Sequence, residues 1–155
     1  MRVLITGITG FVGSHMADYL LENVPDVKLY ATRRWRSNDA NIKHLYGNSQ
    51  VLFIETDLTD RGSIHGAIEL SKPDIVYHFA AQSFPESSFL TPVMTLTTNV
   101  IGTTNLMEEL KNARDAEYCD PTISALFPLK YPSFLSNRKL DMIIFSFFKL
   151  ILPVA

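Results

Sequence analysis

Short apolar runs alternate with longer amphipathic stretches over the first 113 residues, and each kind predicts a different element. Residues 2–6, Arg-Val-Leu-Ile-Thr, predict a short buried strand. They run straight into Gly7-Ile8-Thr9-Gly10-Phe11-Val12-Gly13. Met16, Ala17, Leu20 and Leu21 then recur at helical spacing over 14–22, and Asn23-Val24-Pro25-Asp26 breaks the helix. Residues 28–32, Lys-Leu-Tyr-Ala-Thr, predict a second strand, and 51–55, Val-Leu-Phe-Ile-Glu, a third. Asp60 or Thr59 can cap a helix that reaches about Leu70 and ends at Lys72-Pro73-Asp74. The fourth strand, 75–79, is continuously apolar, as a strand covered on both faces should be. A longer helix is predicted over 92–113, with Pro92 in its first turn and Val93, Leu96, Val100, Met107 and Leu110 as its apolar stripe. Strands alternating with helices in this way predict an α/β fold, a Rossmann-type doubly wound parallel sheet with right-handed crossovers. No internal repeat and no low-complexity segment interrupts the pattern.

Composition divides the chain rather than describing it. The 155 residues, 46% hydrophobic and 19% charged, suit one globular domain and are too few for two. The net charge of −2 argues against a nucleic-acid partner. It combines 10 basic and 15 acidic side chains in 1–120 with four basic and one acidic in 121–155. All seven glycines lie at or before Gly102. We therefore expect an organised domain over 1–123 and a separate apolar tail over 124–155. The run 142–152 is very apolar, but with eleven residues and Lys149 inside it is too short for a stable membrane span. Three readings are open for it: a helix covering a truncated sheet, a membrane-surface anchor, or a segment unrelated to the rest of the chain. Composition changes where the motifs stop, which favours the last, and its poor polar face counts against the anchor. A lone cysteine, Cys119, excludes an internal disulfide and fits a reducing, cytoplasmic compartment. The apolar stretch before Gly7 is too short for a signal peptide.

The candidate chemistry lies at strand ends. A glycine-rich turn between a strand and a helix makes an anion site, because the first-turn N–H groups lack partners and the helix dipole favours negative charge there. Gly7 allows the tight turn, Gly10 a close approach to a pyrophosphate, and Gly13 the packing of helix on strand. Thr9, Phe11 and Val12 complete this candidate cofactor-binding segment. The spacing is G-x-x-G-x-x-G rather than the commoner G-x-G-x-x-G, and the alternative is a structural turn without a ligand. About 20 residues beyond the third glycine, an NAD-binding fold places an acid on the ribose. Here the chain reads Thr32-Arg33-Arg34-Trp35-Arg36, with no acid before Asp39. Guanidinium groups bind a 2′-phosphate that a carboxylate would repel, so Arg33, Arg34 and Arg36 point to NADP rather than NAD. The competing reading is a solvated basic loop. Asp57-Leu58 follows the third strand, where the carboxylate is either an adenine acceptor or an ordinary turn aspartate. Phe79, Ala80, Ala81, Gln82 and Ser83 follow the fourth; the small ones let a cofactor lie close, and Gln82 and Ser83 face either cofactor or substrate. His15, His44, His65 and His78 show no metal-ligand spacing. Trp35 either stacks on the cofactor or covers the edge of the core.

These segments resemble the extended short-chain dehydrogenase/reductases, specifically the nucleotide-sugar epimerases and dehydratases. The resemblance rests on 6–15, Thr-Gly-Ile-Thr-Gly-Phe-Val-Gly-Ser-His, on Asp57-Leu58-Thr59-Asp60, on His78-Phe79-Ala80-Ala81-Gln82-Ser83 and on Asn99-Val100-Ile101-Gly102-Thr103. Arg33-Arg34, Ile42-Lys43-His44-Leu45-Tyr46 and Ala81-Gln82-Ser83 bring it nearest the GDP-mannose 4,6-dehydratases and related GDP-6-deoxy-hexose reductases. The resemblance implies a tightly held NADP that takes hydride from C4 of the GDP-mannose sugar. Loss of water across C5 and C6 and return of hydride to C6 then give GDP-4-keto-6-deoxymannose. It also implies a tyrosine with a lysine four residues later, a Ser or Thr and a Glu, a substrate-binding C-terminal half, and frequent homo-oligomers. None of the six tyrosines, at 19, 30, 46, 77, 118 and 131, has a lysine four positions on. Beyond Ile123 the chain reads Ser124-Ala125-Leu126-Phe127-Pro128-Leu129-Lys130 instead of the family's active-site segment. No catalytic residue is therefore assigned, and the chain is expected to be inactive alone.

Overall fold

The computed structural model describes residues 1–115 and the backbone of two short strands at 122–123 and 143–144. Four parallel strands make the body of the sheet: β1 (Arg2–Thr6), β2 (Lys28–Arg33), β3 (Val51–Glu55) and β4 (Ile75–His78). Their order is β3-β2-β1-β4, and β1 is central, with Thr6 in register with Thr32 on one side and His78 on the other. Two-residue strands β5 (Thr122–Ile123) and β6 (Ile143–Ile144) both pair with β4, at Ile75–Val76 and at Tyr77–His78 respectively. The order is that of a Rossmann-type sheet, with the crevice for a ligand beyond the carboxyl ends of the strands.

Side-chain alternation along β1 shows why helices cover both faces. Val3 and Ile5 enter one core with Ala17, Leu20, Ile42 and Leu45, and Leu4 enters the other with Ile64, Ile68, Leu106, Leu110 and Ala113. Helix α1 (Phe11–Asn23) and a 3-10 helix (Ala40–Leu45) cover the first face. Helices α2 (Arg61–Ser71) and, further along, Gly102–Asp115 cover the second. Of the two cap candidates for α2, Asp60 does the work, its carboxylate accepting from the Gly62 N–H at 3.0 Å. Helix α1 begins three residues earlier than the apolar spacing predicts. Gly10, extended at φ −75° and ψ 165°, leads straight into it, and its carbonyl accepts from the Ser14 N–H at 3.0 Å.

The single helix predicted over 92–113 is broken. The chain forms α3 (Pro85–Leu90), α4 (Pro92–Leu96), a π-helical turn (Thr97–Ile101) and α5 (Gly102–Asp115). The wide turn shifts the buried face, so a stripe drawn at a constant period of about 3.6 residues cannot hold on both sides of it. Val93, Leu96 and Val100 accordingly face outward, and the buried positions are Thr95, Gly102, Leu106, Glu109, Leu110 and Ala113. Glu109 is buried because it ties α5 to α2, accepting from Arg61 Nε and lying 2.9 Å from His65 Nδ1. Burial opposes its charge, yet the bonds from Arg61 and His65 hold its carboxyl below the ordinary range. Cys119, the tyrosines at 118 and 131, and the apolar run 142–152, apart from the backbone of 143–144, lie outside the described residues. Among the described residues no helix is long and apolar enough to cross a membrane.

Candidate dinucleotide site

Loops from the carboxyl ends of β1, β2, β3 and β4 meet at one edge of the sheet. The glycine turn comes first. Gly7 sits at φ +74°, and a Cβ there would lie 2.7 Å from the Ala80 backbone nitrogen, so the turn and the loop after β4 touch through glycine alone. A Cβ on Gly13 would strike the Gly7 carbonyl; the helix packs on the turn itself. Gly10 differs, because a Cβ there would meet only the Gly7 oxygen, at an ordinary 3.4 Å. Folding does not require glycine at that point, and the surface above it is open. The Gly10 cap position offers no side-chain acceptor to the first-turn N–H groups of α1. Thr9 turns its carbonyl to the Asn41 side chain at 3.0 Å, and Phe11 and Val12 are exposed on the first turn.

Three buried polar side chains stand in register behind this turn: Thr6, Thr32 and His78. His78 Nδ1 lies 2.6 Å from Thr6 Oγ1 and its Nε2 3.0 Å from Thr103 Oγ1. Thr6 Oγ1 also accepts from the Ala80 N–H at 3.3 Å. Burial pushes the His78 pKa down to about 4, so the imidazole is neutral and joins β1, β4 and α5. Beyond it, Phe79 stacks on Tyr77 with ring centroids 6.1 Å apart, and Ala81 is half-buried. The backbone of Gln82 is clamped by Asn99 of the π-helical turn, which accepts from its N–H at 2.7 Å and donates to its carbonyl at 3.0 Å. Ser83 is exposed.

The arginine loop and the turn after β3 enclose a hollow of about 540 Å³, lined by Arg34, Trp35, Arg36, Ser37, Glu55, Thr56, Asp57, Asp60 and Ser63. The Arg36 guanidinium lies 4.2 Å from the centroid of the Trp35 ring. Arg36 also holds a left-handed φ of 60°, unusual for a side chain of its size. On the β3 side most polar groups are satisfied locally. Asp57 Oδ1 accepts from the Thr59 N–H at 2.8 Å and from its hydroxyl at 2.7 Å, and Ser63 bridges Asp57 and Asp60. Those bonds, with the nearby Arg34 charge, hold the Asp57 carboxyl below its ordinary range. Asp57 is thus a turn aspartate by structure, and it also lines the hollow. Leu58 turns inward to the second core, where its Cβ abuts Gly102. The Thr56 hydroxyl is buried without any hydrogen-bond partner, which normally costs about 1–3 kcal/mol.

Arg33, at the end of β2, is not among the lining residues. Its guanidinium donates to the Tyr46 hydroxyl at 2.9 Å. Two arginines, three carboxylates and an indole ring line the hollow, a polar pocket able to take the adenosine end of a dinucleotide. Among the described residues no group of His, Cys, Asp and Glu is placed to hold a metal ion. Sequence reasoning missed Asn41, Thr56 and the clamp of Asn99. Their partners lie far along the chain or are missing, and no spacing rule reports either condition.

Comparison with known proteins agrees with this fold. A family model described as GDP-mannose 4,6 dehydratase matches residues 4–123. The chain is 35% identical over 121 residues to GDP-mannose 4,6 dehydratase 2 of Caenorhabditis elegans, covering 74% of this chain and 32% of that one. It is equally, at 35% over 107 residues, similar to UDP-glucuronic acid decarboxylase 5 of Arabidopsis thaliana, covering 69% and 29%. Among solved structures it resembles the dTDP-glucose 4,6-dehydratase DesIV of Streptomyces venezuelae, determined with NAD bound. The TM-score is 0.65 at 32% identity, covering 76% of this chain and 37% of that one. The chain spans about a third of the length of the curated relatives it matches.

Proposed function

This chain belongs to the GDP-mannose 4,6-dehydratase family of nucleotide-sugar epimerases and dehydratases, and on that premise we propose that residues 1–123 form an NADP-binding unit serving the dehydration of GDP-mannose. The observation that carries the cofactor reading is the hollow beyond β2 and β3, where Arg34 and Arg36 flank Trp35 and the Thr56 hydroxyl lacks a partner. The relative DesIV was determined with NAD; the arginines at this edge are what favour the 2′-phosphorylated form here.

When bound, the dinucleotide supplies a nicotinamide ring that accepts and returns a hydride. The chain's own part is to bind and orient it. First-turn N–H groups of α1 receive the pyrophosphate over Gly7, Gly10 and Gly13, with Thr9, Phe11 and Val12 beside them. Arg34 and Arg36, which line the hollow, and Arg33 from the end of β2 would receive the 2′-phosphate, Asp57 and the Leu58 backbone would border the adenine, and the loop from Phe79 through Ala80, Ala81, Gln82 and Ser83 would border the rest. With no Tyr-x-x-x-Lys in its 155 residues, the unit holds cofactor without turning over sugar nucleotide alone. The family model and the Caenorhabditis relative support GDP-mannose as the substrate. The equal identity to a UDP-glucuronic acid decarboxylase supports a second reading, in which the same unit serves a different nucleotide sugar. The outward apolar side chains of α3 and α4 support self-association, and the lone Cys119 suits the cytoplasm.

Arg33→Glu tests the cofactor assignment. It is expected to weaken NADP binding at least about tenfold more than NAD binding, measured by calorimetric titration of both. Equal loss for the two would remove the 2′-phosphate role.

A further inference from the structure

Residues 39–46 cross from the arginine loop towards β3, and the dinucleotide reading leaves them unused. Ile42 and Leu45 anchor this strap in the first core. Its polar side chains reach back to three separate parts of the site. Asn41 Nδ2 donates to the Thr9 carbonyl at 3.0 Å, in the glycine turn. His44 Nε2 lies 2.7 Å from Asp18 Oδ1 on α1. The Tyr46 hydroxyl accepts from Arg33 at 2.9 Å and donates to Asp39 Oδ2 at 2.9 Å.

Arg33 is therefore oriented from several sides. Its guanidinium carbon lies 5.9 Å from the Tyr46 ring centroid and 5.8 Å from that of Phe53. Those two rings meet edge to face at 5.1 Å, which fixes Tyr46 as well. One of the five guanidinium N–H donors is spent on Tyr46. An arginine side chain carries substantial rotamer entropy, and a side chain fixed beforehand loses less on binding. Orientation matters most for a ligand bound through a paired, planar contact, as a phosphate is.

We propose that Tyr46 is a specificity-determining positioning residue, holding the Arg33 guanidinium in the orientation that receives the 2′-phosphate of NADP. The proposal rests on the NADP reading above. It assigns Tyr46 no contact with the dinucleotide, so a dinucleotide lacking the phosphate gains little from it. Asp39 fixes the direction of the Tyr46 hydroxyl.

A double-mutant cycle tests it on the full chain. NADPH and NADH are titrated by calorimetry into the unaltered protein, Tyr46→Phe, Arg33→Met and the double variant. Tyr46→Phe keeps the ring and its packing, and its thermal midpoint is expected to match that of the unaltered protein. It is expected to weaken NADPH about five- to tenfold and NADH less than about twofold. In the Arg33→Met background the same change is expected to do nothing further, because Tyr46 acts through Arg33. An unchanged NADPH-to-NADH ratio in Tyr46→Phe, or an undiminished effect without Arg33, overturns the role of Tyr46 and leaves the NADP reading standing. An unaltered protein that does not prefer NADPH overturns that reading, and this proposal with it.

Discussion

Two surfaces of this fold are finished differently. At the carboxyl edge of the sheet, His78 bonds to both Thr6 and Thr103, Asn41 holds Thr9, and Asn99 holds Gln82. The apolar side chains beneath that edge are buried in two cores. Along α3 and α4 the reverse holds. Phe89 is 74% exposed, Leu90 and Val93 are each 75% exposed, and neither helix receives a side-chain cap. The described residues close around the carboxyl edge of the sheet and leave an apolar face along α3 and α4 exposed. Elements of one fold need not be equally self-sufficient. The strand ends are stabilised within the unit, whereas outward apolar helices gain stability only from what covers them.

The largest expected effect lies where the glycine turn meets the loop after β4. Gly7→Val places a Cβ at φ +74° and 2.7 Å from the Ala80 nitrogen, and is expected to cost about 3 kcal/mol or more, read by urea unfolding. Gly10→Ala sharpens this. Its Cβ would make only an ordinary 3.4 Å contact, so stability should change by less than about 0.5 kcal/mol. Dinucleotide affinity should nevertheless fall at least about tenfold if, as proposed, the pyrophosphate comes close to the open surface above Gly10. Loss of fold in Gly10→Ala, or full affinity, would separate the glycine turn from ligand binding.

An effect of similar size should follow from acid. His78 is neutral in the fold, with its pKa pushed from 6.5 to about 4 by burial. The unfolded chain takes up a proton first, so stability is full above pH 6.5 and falls as pH drops towards 4, by about 3 kcal/mol in all. Asp57 and Asp74, with ordinary values of 3.8, and Glu109, with 4.5, are all held lower still, and their contributions are lost only at more acid pH. Unfolding midpoints between pH 7.5 and 4.5, as chosen settings, should therefore slope in the unaltered protein and flatten in His78→Gln. Equal slopes in the two would show that His78 is not the buried titrating group.

The smallest expected change in stability belongs to the other surface. Val93→Lys should alter the unfolding free energy by less than about 0.5 kcal/mol, because Val93 is 75% exposed. It should also reduce the self-association proposed for this face, as read by analytical ultracentrifugation. A large loss of stability would mean that Val93 is packed and that the two surfaces do not differ as described.

The same contrast governs how much was legible in the sequence. The four strands, the glycine turn and the Asp60 cap follow from apolar runs, glycine spacing and cap chemistry, all local properties, and each forms at or within a residue of its predicted place. The helix over 92–113 was misread because a π-helical turn at Thr97–Ile101 shifts the buried face, and a fixed period cannot register such a shift. Thr95 is buried where the predicted stripe put Val93 and Leu96, and Glu109 is buried between the stripe positions Met107 and Leu110. In the site, Gly7 was legible because only glycine fits its positive φ. Tyr46 stood out only as part of a motif, because its hydroxyl meets Arg33, 13 positions away, and nothing local signals that meeting. Thr56 was silent because an unsatisfied hydroxyl is a property of the assembled hollow.

On the proposed function, this edge holds the adenosine end of NADP by itself. The most direct test is calorimetric titration of the full chain with 2′-phospho-ADP-ribose and with ADP-ribose, which isolate that end from the nicotinamide. The account predicts that the 2′-phosphorylated ligand binds at least about tenfold more tightly. Equal affinities, or no binding of either, would contradict it.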